Sequence, residues 1–147
     1  MNKSLIIDPI ERMKVSYFND SIVIQRDFSS HQFYENIYFI EDGQVYDYRY
    51  KDEMYLTHRD RLLFLSNKCD TTYDWQNYYM KNFIVGHNRL GTKVIIKKIS
   101  DNLFRTELIS KFDSSYSERY FYDHFYHIKR FEYTYKGFKV TLENKNR

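Results

Sequence analysis

Residues 115–142 constrain the fold most, because two different hydrophobic periodicities follow one another there. The second half alternates apolar and polar residues on either side of Lys136-Gly137, which predicts a β-hairpin closed by a two-residue turn. Glu132, Thr134, Lys139 and Thr141 should share its polar face. The predicted register places three pairs on the apolar face: Tyr135 with Phe138, Tyr133 with Val140, and Phe131 with Leu142.

The first half of this segment has helical spacing instead. Ser115 and Glu118 are spaced as a capping box, and apolar residues then recur on one side at about 100° per residue. A helix over residues 115–130 is therefore predicted to pack on the hairpin, with Phe125 in the core. Its buried side would carry Phe121, His124, Phe125 and Ile128.

Two further helices are predicted from residues that are typical of helix starts and helix ends. Asp8 and Pro9 can begin a helix over residues 8–20. Asp74 and Gly86 can cap and close a helix over residues 74–86, whose aromatic residues also suit a strand.

The remaining chain indicates strands and turns. Asp42-Gly43 supplies the positive φ angles of a type I′ turn, so residues 37–50 form the clearest hairpin, with Ile40 opposite Val45 and Phe39 opposite Tyr46. Further strands are predicted over residues 21–28, 54–57, 92–99 and 103–109. Connections are predicted over residues 51–53, 66–74 and 86–91, and residues 29–36 form a connection or a single helical turn. The prediction is a single α+β domain over residues 1–147, with an antiparallel sheet of about six to eight short strands and two or three helices. Residues 143–147 should form a disordered tail.

Composition bears on origin as well as on fold. Aromatic residues make up 20% of the chain, including 16 Tyr and 12 Phe, which is enough apolar surface to argue against disorder. Alanine is absent, Gly occurs 4 times and Pro once. The chain is therefore poor in residues with GC-rich codons and rich in residues with AT-rich codons. This composition is expected of a protein encoded by a phage, virus, mobile element or low-GC bacterium.

Charge and cysteine content limit the function classes. The net charge of +3 is too small to indicate a nucleic-acid binder by itself. A single cysteine, Cys69, excludes an internal disulfide and suits a reducing compartment. Neither a signal peptide nor an apolar run of about 20 residues is visible, so we expect a cytoplasmic protein of the producing or host cell.

Candidate chemistry is sparse. Asp123, His124 and His127 could ligate a metal, but we interpret the histidines as a partly buried structural pair. His58 and His87 fall in predicted loops, and Cys69 would need a histidine beside it to act as a nucleophile. No phosphate-binding loop, nucleophile elbow or paired-cysteine motif occurs. We therefore predict no cofactor, no metal and no catalytic residue, and regard enzymatic activity as the less favoured interpretation.

Basic residues form two groups that are candidates for partner binding. Each group could equally be a solvated surface or a protected strand edge, whereas cations interleaved with tyrosines can also hold phosphates or a protein partner. One group follows the predicted hairpin at residues 92–109 and its preceding loop: Arg89, Lys93, Lys97, Lys98 and Arg105. The other lies on the predicted solvent face of the last helix: Arg119, Tyr122, Tyr126, Lys129 and Arg130.

The sequence favours a small non-enzymatic binding protein that inhibits or modulates a host protein or nucleoprotein, in the manner of an anti-defence or anti-CRISPR inhibitor. This preference comes from size, composition and the lack of a catalytic motif. Two alternatives remain open. One is a single-stranded nucleic-acid-binding protein that uses the basic and tyrosine-rich surfaces; the other is a small nuclease with scattered acidic and histidine residues.

Overall fold

The computed structural model describes residues 10–28, 33–50, 59–68, 70–79, 90–110 and 115–143, and all regular structure in these ranges is β-strand. The prediction of an α+β fold with helices is therefore wrong. Within the described ranges, eleven strands form two antiparallel sheets in a sandwich-like arrangement. The first sheet has the order β1 (Ile10–Tyr17), β2 (Ser21–Phe28), β3 (Phe33–Glu41), β4 (Gln44–Tyr50) and β5 (Arg59–Leu65). The second has the order β11 (Phe138–Glu143), β10 (Ile128–Tyr135), β9 (Tyr116–Tyr122), β8 (Leu103–Ser110), β7 (Leu90–Ser100) and β6 (Thr71–Tyr79).

The predicted hairpins are confirmed where turn chemistry defines them. Asp42 and Gly43 have φ angles of 54° and 76°, and the predicted pairs Ile40–Val45 and Phe39–Tyr46 form. Lys136 and Gly137 likewise have φ angles of 49° and 86°. All three predicted pairs of the β10–β11 hairpin occur, and β7 and β8 form the hairpin predicted over residues 92–109.

All three predicted helices are wrong wherever the chain is described. Residues 10–17 form β1, residues 71–79 form β6, and residues 115–130 form β9, a turn and the start of β10. In β9 the residues that are 0–1% exposed recur at every second position: Tyr116, Glu118, Tyr120 and Tyr122. The buried carboxylate of Glu118 interrupts the apolar alternation that identifies a strand, and it accepts hydrogen bonds from the hydroxyls of Tyr116 and Tyr120.

Several connections also differ from the prediction. Residues 33–36 belong to β3 and residues 71–74 to β6, although neither was expected in a strand. Glu143 lies in β11, whereas the prediction began the tail there. The predicted turn and strand at residues 51–57, the candidates His58, Cys69 and His87, and the tail at residues 144–147 lie outside the described residues.

The core between the sheets is rich in aromatic rings. Phe64 of β5 stacks on Tyr38 of β3 at 4.2 Å between ring centroids, and it meets Tyr120 of β9 edge-on at 5.0 Å. Tyr120 in turn contacts Phe131 of β10 at 4.8 Å. Because these contacts run from one sheet to the other, Phe64 joins the two halves of the sandwich. Aliphatic residues fill the space around the rings: Ile22, Ile24, Val45, Leu65, Val94, Ile96 and Leu108.

Buried hydroxyl groups also connect the sheets. The Tyr122 hydroxyl donates to the carbonyl of Ser66 at 2.9 Å and accepts from the amide of Ser66 at 3.1 Å. Thr106 donates to the carbonyl of Phe64 at 2.8 Å. These bonds satisfy the backbone of the first sheet where β5 leaves it, so the relative position of the sheets is fixed by polar as well as apolar contacts.

Within the described ranges there is no helix with the length and hydropathy needed to cross a bilayer.

Candidate partner-binding surfaces

The connections that follow β1, β3, β5, β7 and β9 meet at one end of the sandwich, called the loop end below. It comprises the turns at residues 18–20, 42–43, 101–102 and 123–127 and the described part of the connection at residues 66–70. Direct hydrogen bonds hold neighbouring turns together. For example, the amide of Ile40 donates to the carbonyl of Asp20 at 2.9 Å, and the Lys68 ammonium donates to the carbonyl of Asp42 at 2.8 Å.

The turn between β9 and β10 is built around Asp123. One oxygen of its buried carboxylate accepts from the amide of Phe125 at 2.9 Å and from the amide of His127 at 3.0 Å. The turn is closed by backbone bonds from Asp123 N–H to the carbonyl of His127 and from Tyr126 N–H to the carbonyl of Asp123. A carboxylate that accepts two backbone amides fixes the turn in one conformation.

Tyr126 anchors the same turn to the first sheet. It has a φ angle of 67°, which is uncommon for a residue with a side chain, and its ring is buried. Its hydroxyl donates to the carbonyl of Gly43 at 2.6 Å and accepts from the amide of Asn67 at 3.2 Å. The hydrogen bonds and burial of Tyr126 compensate for this backbone conformation.

Two asparagine side chains also hold the β9–β10 turn in place through hydrogen bonds to His124. The side chain of Asn102 accepts from the backbone amide of His124 at 3.0 Å and is also bonded to its imidazole. The side-chain amide of Asn67 donates to the carbonyl of His124 at 2.6 Å. The turn is therefore held by β7–β8, by the connection after β5 and by its own carboxylate.

This braced turn presents Phe125 to solvent. Phe125 is 67% exposed, so its predicted place in the core is wrong. His124 and His127, also expected to be partly buried, are exposed beside it, with ring centroids 4.0 Å and 6.3 Å from that of Phe125. Of the six large apolar side chains that are exposed among the described residues, four belong to the loop end or to the strand ends that flank it: Tyr17, Phe18, Ile99 and Phe125.

The electrostatics of the turn favour an ionised Asp123. Burial alone would raise the pKa of Asp123, but hydrogen bonds from the amides of His127 and Phe125 and the nearby His127 and Lys129 side chains outweigh burial and lower it. Lys129 Nζ lies 3.5 Å from the Asp123 carboxylate. Partial burial raises the pKa of Tyr17, whose hydroxyl accepts from the amide of Ile128 at 2.7 Å, so the phenol stays neutral at physiological pH.

A second surface is the outer face of the second sheet, called the basic face below. It brings together five of the predicted partner-binding residues, which come from four strands: Lys93, Lys97, Arg105, Arg119 and Arg130. The strand register aligns Lys97, Arg105, Phe121 and Arg130 in one row across the sheet. The Arg130 guanidinium lies over the Phe121 ring at 4.0 Å, a cation–π contact.

Two of the three arginines of this face, Arg119 and Arg130, are held by carboxylates. Arg119 Nε lies 2.9 Å from Glu132 and Arg119 Nη1 lies 3.5 Å from Glu107, while Arg130 Nε lies 3.2 Å from Glu132. Lys139 also approaches Glu132, at 3.6 Å. Burial alone would raise the pKa of Glu132, but the hydrogen bond from Arg119 and the charges of Lys139, Arg119 and Arg130 lower it.

The other predicted residues do not join this face. Tyr122 and Tyr126 are buried, so their predicted exposure on a helix is wrong. Lys129 lies at the loop end beside Asp123, and Lys98 lies near the end of β7, where its amide donates to Asp70 at 2.8 Å. Arg89 is outside the described residues.

No protein family, characterised protein or solved structure shows significant similarity to this chain. The function is therefore inferred from the two surfaces.

No three His, Cys, Asp or Glu side chains come together as a metal site in the part of the chain that the structure describes. In the predicted Asp123–His127 motif, His127 Nδ1 lies 3.6 Å from Asp123, while His124 bonds to Asn102.

Sequence reasoning missed the exposed residues of the loop end. Phe125 and its histidine neighbours were assigned to a buried helical stripe because their spacing fitted one. The sequence did contain a local signal for a turn at Asp123. An aspartate side chain can accept a hydrogen bond from the backbone amide two residues later and so stabilise a turn. The positive φ of Tyr126 has no such signal, since tyrosine does not favour that conformation.

Proposed function

We propose that this chain is a small non-enzymatic binding protein that docks onto a protein partner through its loop end. The observation that carries the proposal is the 67% exposure of Phe125 on a turn braced by Asp123, Tyr126 and His124. An exposed aromatic ring on a fixed backbone loses little conformational freedom on binding. Residues of this kind, inserted into a pocket of the partner, dominate the energy of many interfaces.

The surroundings of Phe125 support a protein partner over a small ligand. Tyr17, Phe18 and Ile99 add exposed apolar area to the same end. His124, His127 and Asn102 supply polar groups around Phe125. An apolar centre with a polar surround is the usual composition of a protein–protein interface.

The biological setting extends this proposal. An amino-acid composition biased towards residues with AT-rich codons supports an origin in a phage, virus or mobile element. We infer that the partner is then a host protein or nucleoprotein complex in the cytoplasm. The protein would then inhibit or modulate that partner by occupying its surface, as an anti-defence inhibitor of the anti-CRISPR kind does.

Phe125→Ala tests the proposal. We expect it to weaken the complex at least about 30-fold, because truncation of a central aromatic anchor costs about 2 kcal/mol or more. The partner is captured from a host lysate on the immobilised wild-type protein and identified by mass spectrometry, and its affinity for purified variants is then measured by calorimetry.

Phe138→Ala is the matched control, since Phe138 is 62% exposed in the β10–β11 hairpin, away from the loop end. It should bind as the wild type does. Equal binding by Phe125→Ala, or equal weakening by both variants, would refute docking through the loop end.

A second candidate function, single-stranded nucleic-acid binding, is favoured by the row of Lys97, Arg105, Phe121 and Arg130 on the basic face. Lys97 is exposed, and Arg105 Nε is buried with no hydrogen-bond partner among the described residues. The Lys97 ammonium is therefore the group of this row that is accessible to a phosphate oxygen. The third interpretation, a nuclease, remains a hypothesis from the sequence.

Filter binding of a labelled oligothymidylate across a salt series tests this second function. The affinity should fall as salt rises, and Lys97→Gln should reduce the slope of log affinity against log salt by about 0.7, the value for one phosphate contact on a single strand. Lys14→Gln, an exposed lysine on the first sheet, is the control and should leave the slope unchanged. Absence of binding at low salt eliminates this function.

A further inference from the structure

A groove runs between the two sheets along one side of the sandwich. It meets the loop end at Tyr17 and Lys129 and the basic face at Arg130, but its lining includes neither Phe125 nor Lys97. It has a volume of about 500 Å³ and is lined by residues of β1, of β10 and of β11. β1 and β11 are the outermost strands of their sheets, and among the described residues each pairs with one neighbour only. The groove is therefore bordered by strand edges whose outward N–H and C=O groups lack a strand partner within the described chain.

The lining combines an apolar interior with a basic rim. Met13 and Val15 of β1 and Leu142 of β11 are half-buried and pack against the core from the side of the groove. At the rim, Lys14 is exposed and the Lys129 side chain is 52% exposed. Four charged residues line the groove: Lys14, Lys129, Arg130 and Glu143. Lys129 lies 3.5 Å from Asp123 and Arg130 lies 3.2 Å from Glu132, so Lys14 is the cation on which recognition of an acidic ligand would depend.

We propose that this groove accepts an extended acidic segment of a partner protein, which adds as a strand to the edge of β1 that has no strand partner among the described residues. An added strand satisfies the edge backbone groups with main-chain hydrogen bonds, and its alternate side chains point to opposite faces. One set of side chains, apolar, would enter the groove against Met13, Val15 and Leu142. The other set, acidic, would lie near Lys14. The groove shares Tyr17 with the loop end but does not include Phe125, on which the proposed function depends, so either proposal can fail without the other.

The probe is a soluble acetylated octapeptide that alternates valine and glutamate, compared with one that alternates valine and lysine. We expect the acidic peptide to bind and the basic peptide to bind at least about tenfold more weakly, because the rim charge is complementary to only one of them. Binding is measured by NMR titration. The amides of β1 that point away from β2 should gain protection from hydrogen exchange when the acidic peptide is bound.

Lys14→Glu should weaken binding of the acidic peptide by about fivefold or more, as expected for reversal of one exposed charge next to the ligand. Lys97→Glu makes the same charge change on the basic face and should have no effect, and Phe125→Ala should also bind the peptide normally. Equal affinity for the two peptides, no new protection in β1, or equal loss with both lysine variants would overturn the proposal. A concentration-dependent dimer that protects β1 without peptide would overturn it as well, since a second copy would then be the occupant.

Discussion

Phe64→Ala is expected to lower the free energy of unfolding by about 3–5 kcal/mol, the largest stability effect that we predict for one side chain. Phe64 is 1% exposed and touches aromatic rings in both sheets, Tyr38 at 4.2 Å and Tyr120 at 5.0 Å. Truncation would leave a cavity between two rings that are themselves fixed by neighbours, so the site cannot collapse to fill it. Urea denaturation followed by tyrosine fluorescence measures the change, and the melting temperature should fall by roughly 10 °C.

Phe125→Ala is the informative comparison, because the helical interpretation of the sequence placed Phe125 in the core. In the sandwich it is mostly exposed, so the variant should stay within about 0.5 kcal/mol of the wild type. A loss for Phe125→Ala as large as that for Phe64→Ala would contradict the exposure of Phe125. A Phe64→Ala variant within about 0.5 kcal/mol of the wild type would contradict packing of the sheets through Phe64.

Glu132→Gln is expected to destabilise the protein by about 2–3 kcal/mol at neutral pH. Glu132 is the buried carboxylate beside Arg119, Arg130 and Lys139 on the outer face of the second sheet. Glutamine retains the volume and one acceptor but removes the negative charge, so three cations from three strands lose their common counter-ion. Chemical denaturation of both proteins at neutral pH measures the difference.

The difference in stability between the wild type and Glu132→Gln should also depend on pH, and the direction of this dependence follows from the pKa of Glu132. The pKa of Glu132 is lowered in the folded state, so the native protein binds fewer protons there than the unfolded chain does. Its contribution is therefore complete above the ordinary glutamate pKa of about 4.3 and is lost as the pH falls through the lower folded value. The stability difference between wild type and Glu132→Gln should shrink towards zero over that acidic range.

Glu35→Gln is a suitable control for both measurements. Glu35 is exposed on β3 of the first sheet, where it accepts from Gln25 at 3.0 Å. Its replacement should change stability by about 0.5 kcal/mol or less. A stability difference for Glu132→Gln that stays constant from neutral to acidic pH would contradict a role for the charge.

The sequence predicted the turns well and the helices poorly, and the two outcomes have different physical causes. Asp42-Gly43 and Lys136-Gly137 form two-residue turns through the conformational freedom of their own residues, so the signal is local. In contrast, the strand identity of residues 116–122 depends on two tyrosine hydroxyls that satisfy Glu118 inside the core. In a sequence, a glutamate is expected to be exposed, so the inward position of Glu118 hides the alternation that would identify the strand.

The candidate sites show the same difference between local signals, which a sequence contains, and long-range contacts, which it does not. Lys97 and Arg105 were identified as basic residues of one hairpin, but their alignment with Arg130 required the observed register of three strand pairs. The helix prediction placed Tyr122 on the solvent face and Phe125 in the core. In the structure these residues lie in a strand and a turn, where Tyr122 is buried and Phe125 is exposed. Composition alone could not distinguish them, because aromatic residues occur on both sides of this fold.

The β10–β11 turn offers a practical attachment point. Lys136 and Gly137 lie about eight residues of extended strand from the loop end, which corresponds to roughly 25 Å. Lys136 is exposed and can carry the attachment, whereas Gly137 should be kept because its φ of 86° would strain any substituted residue. A fluorophore or surface linker fixed at this turn would orient the protein with Phe125 pointing away from the support, so every immobilised molecule would present the same end to a partner in solution.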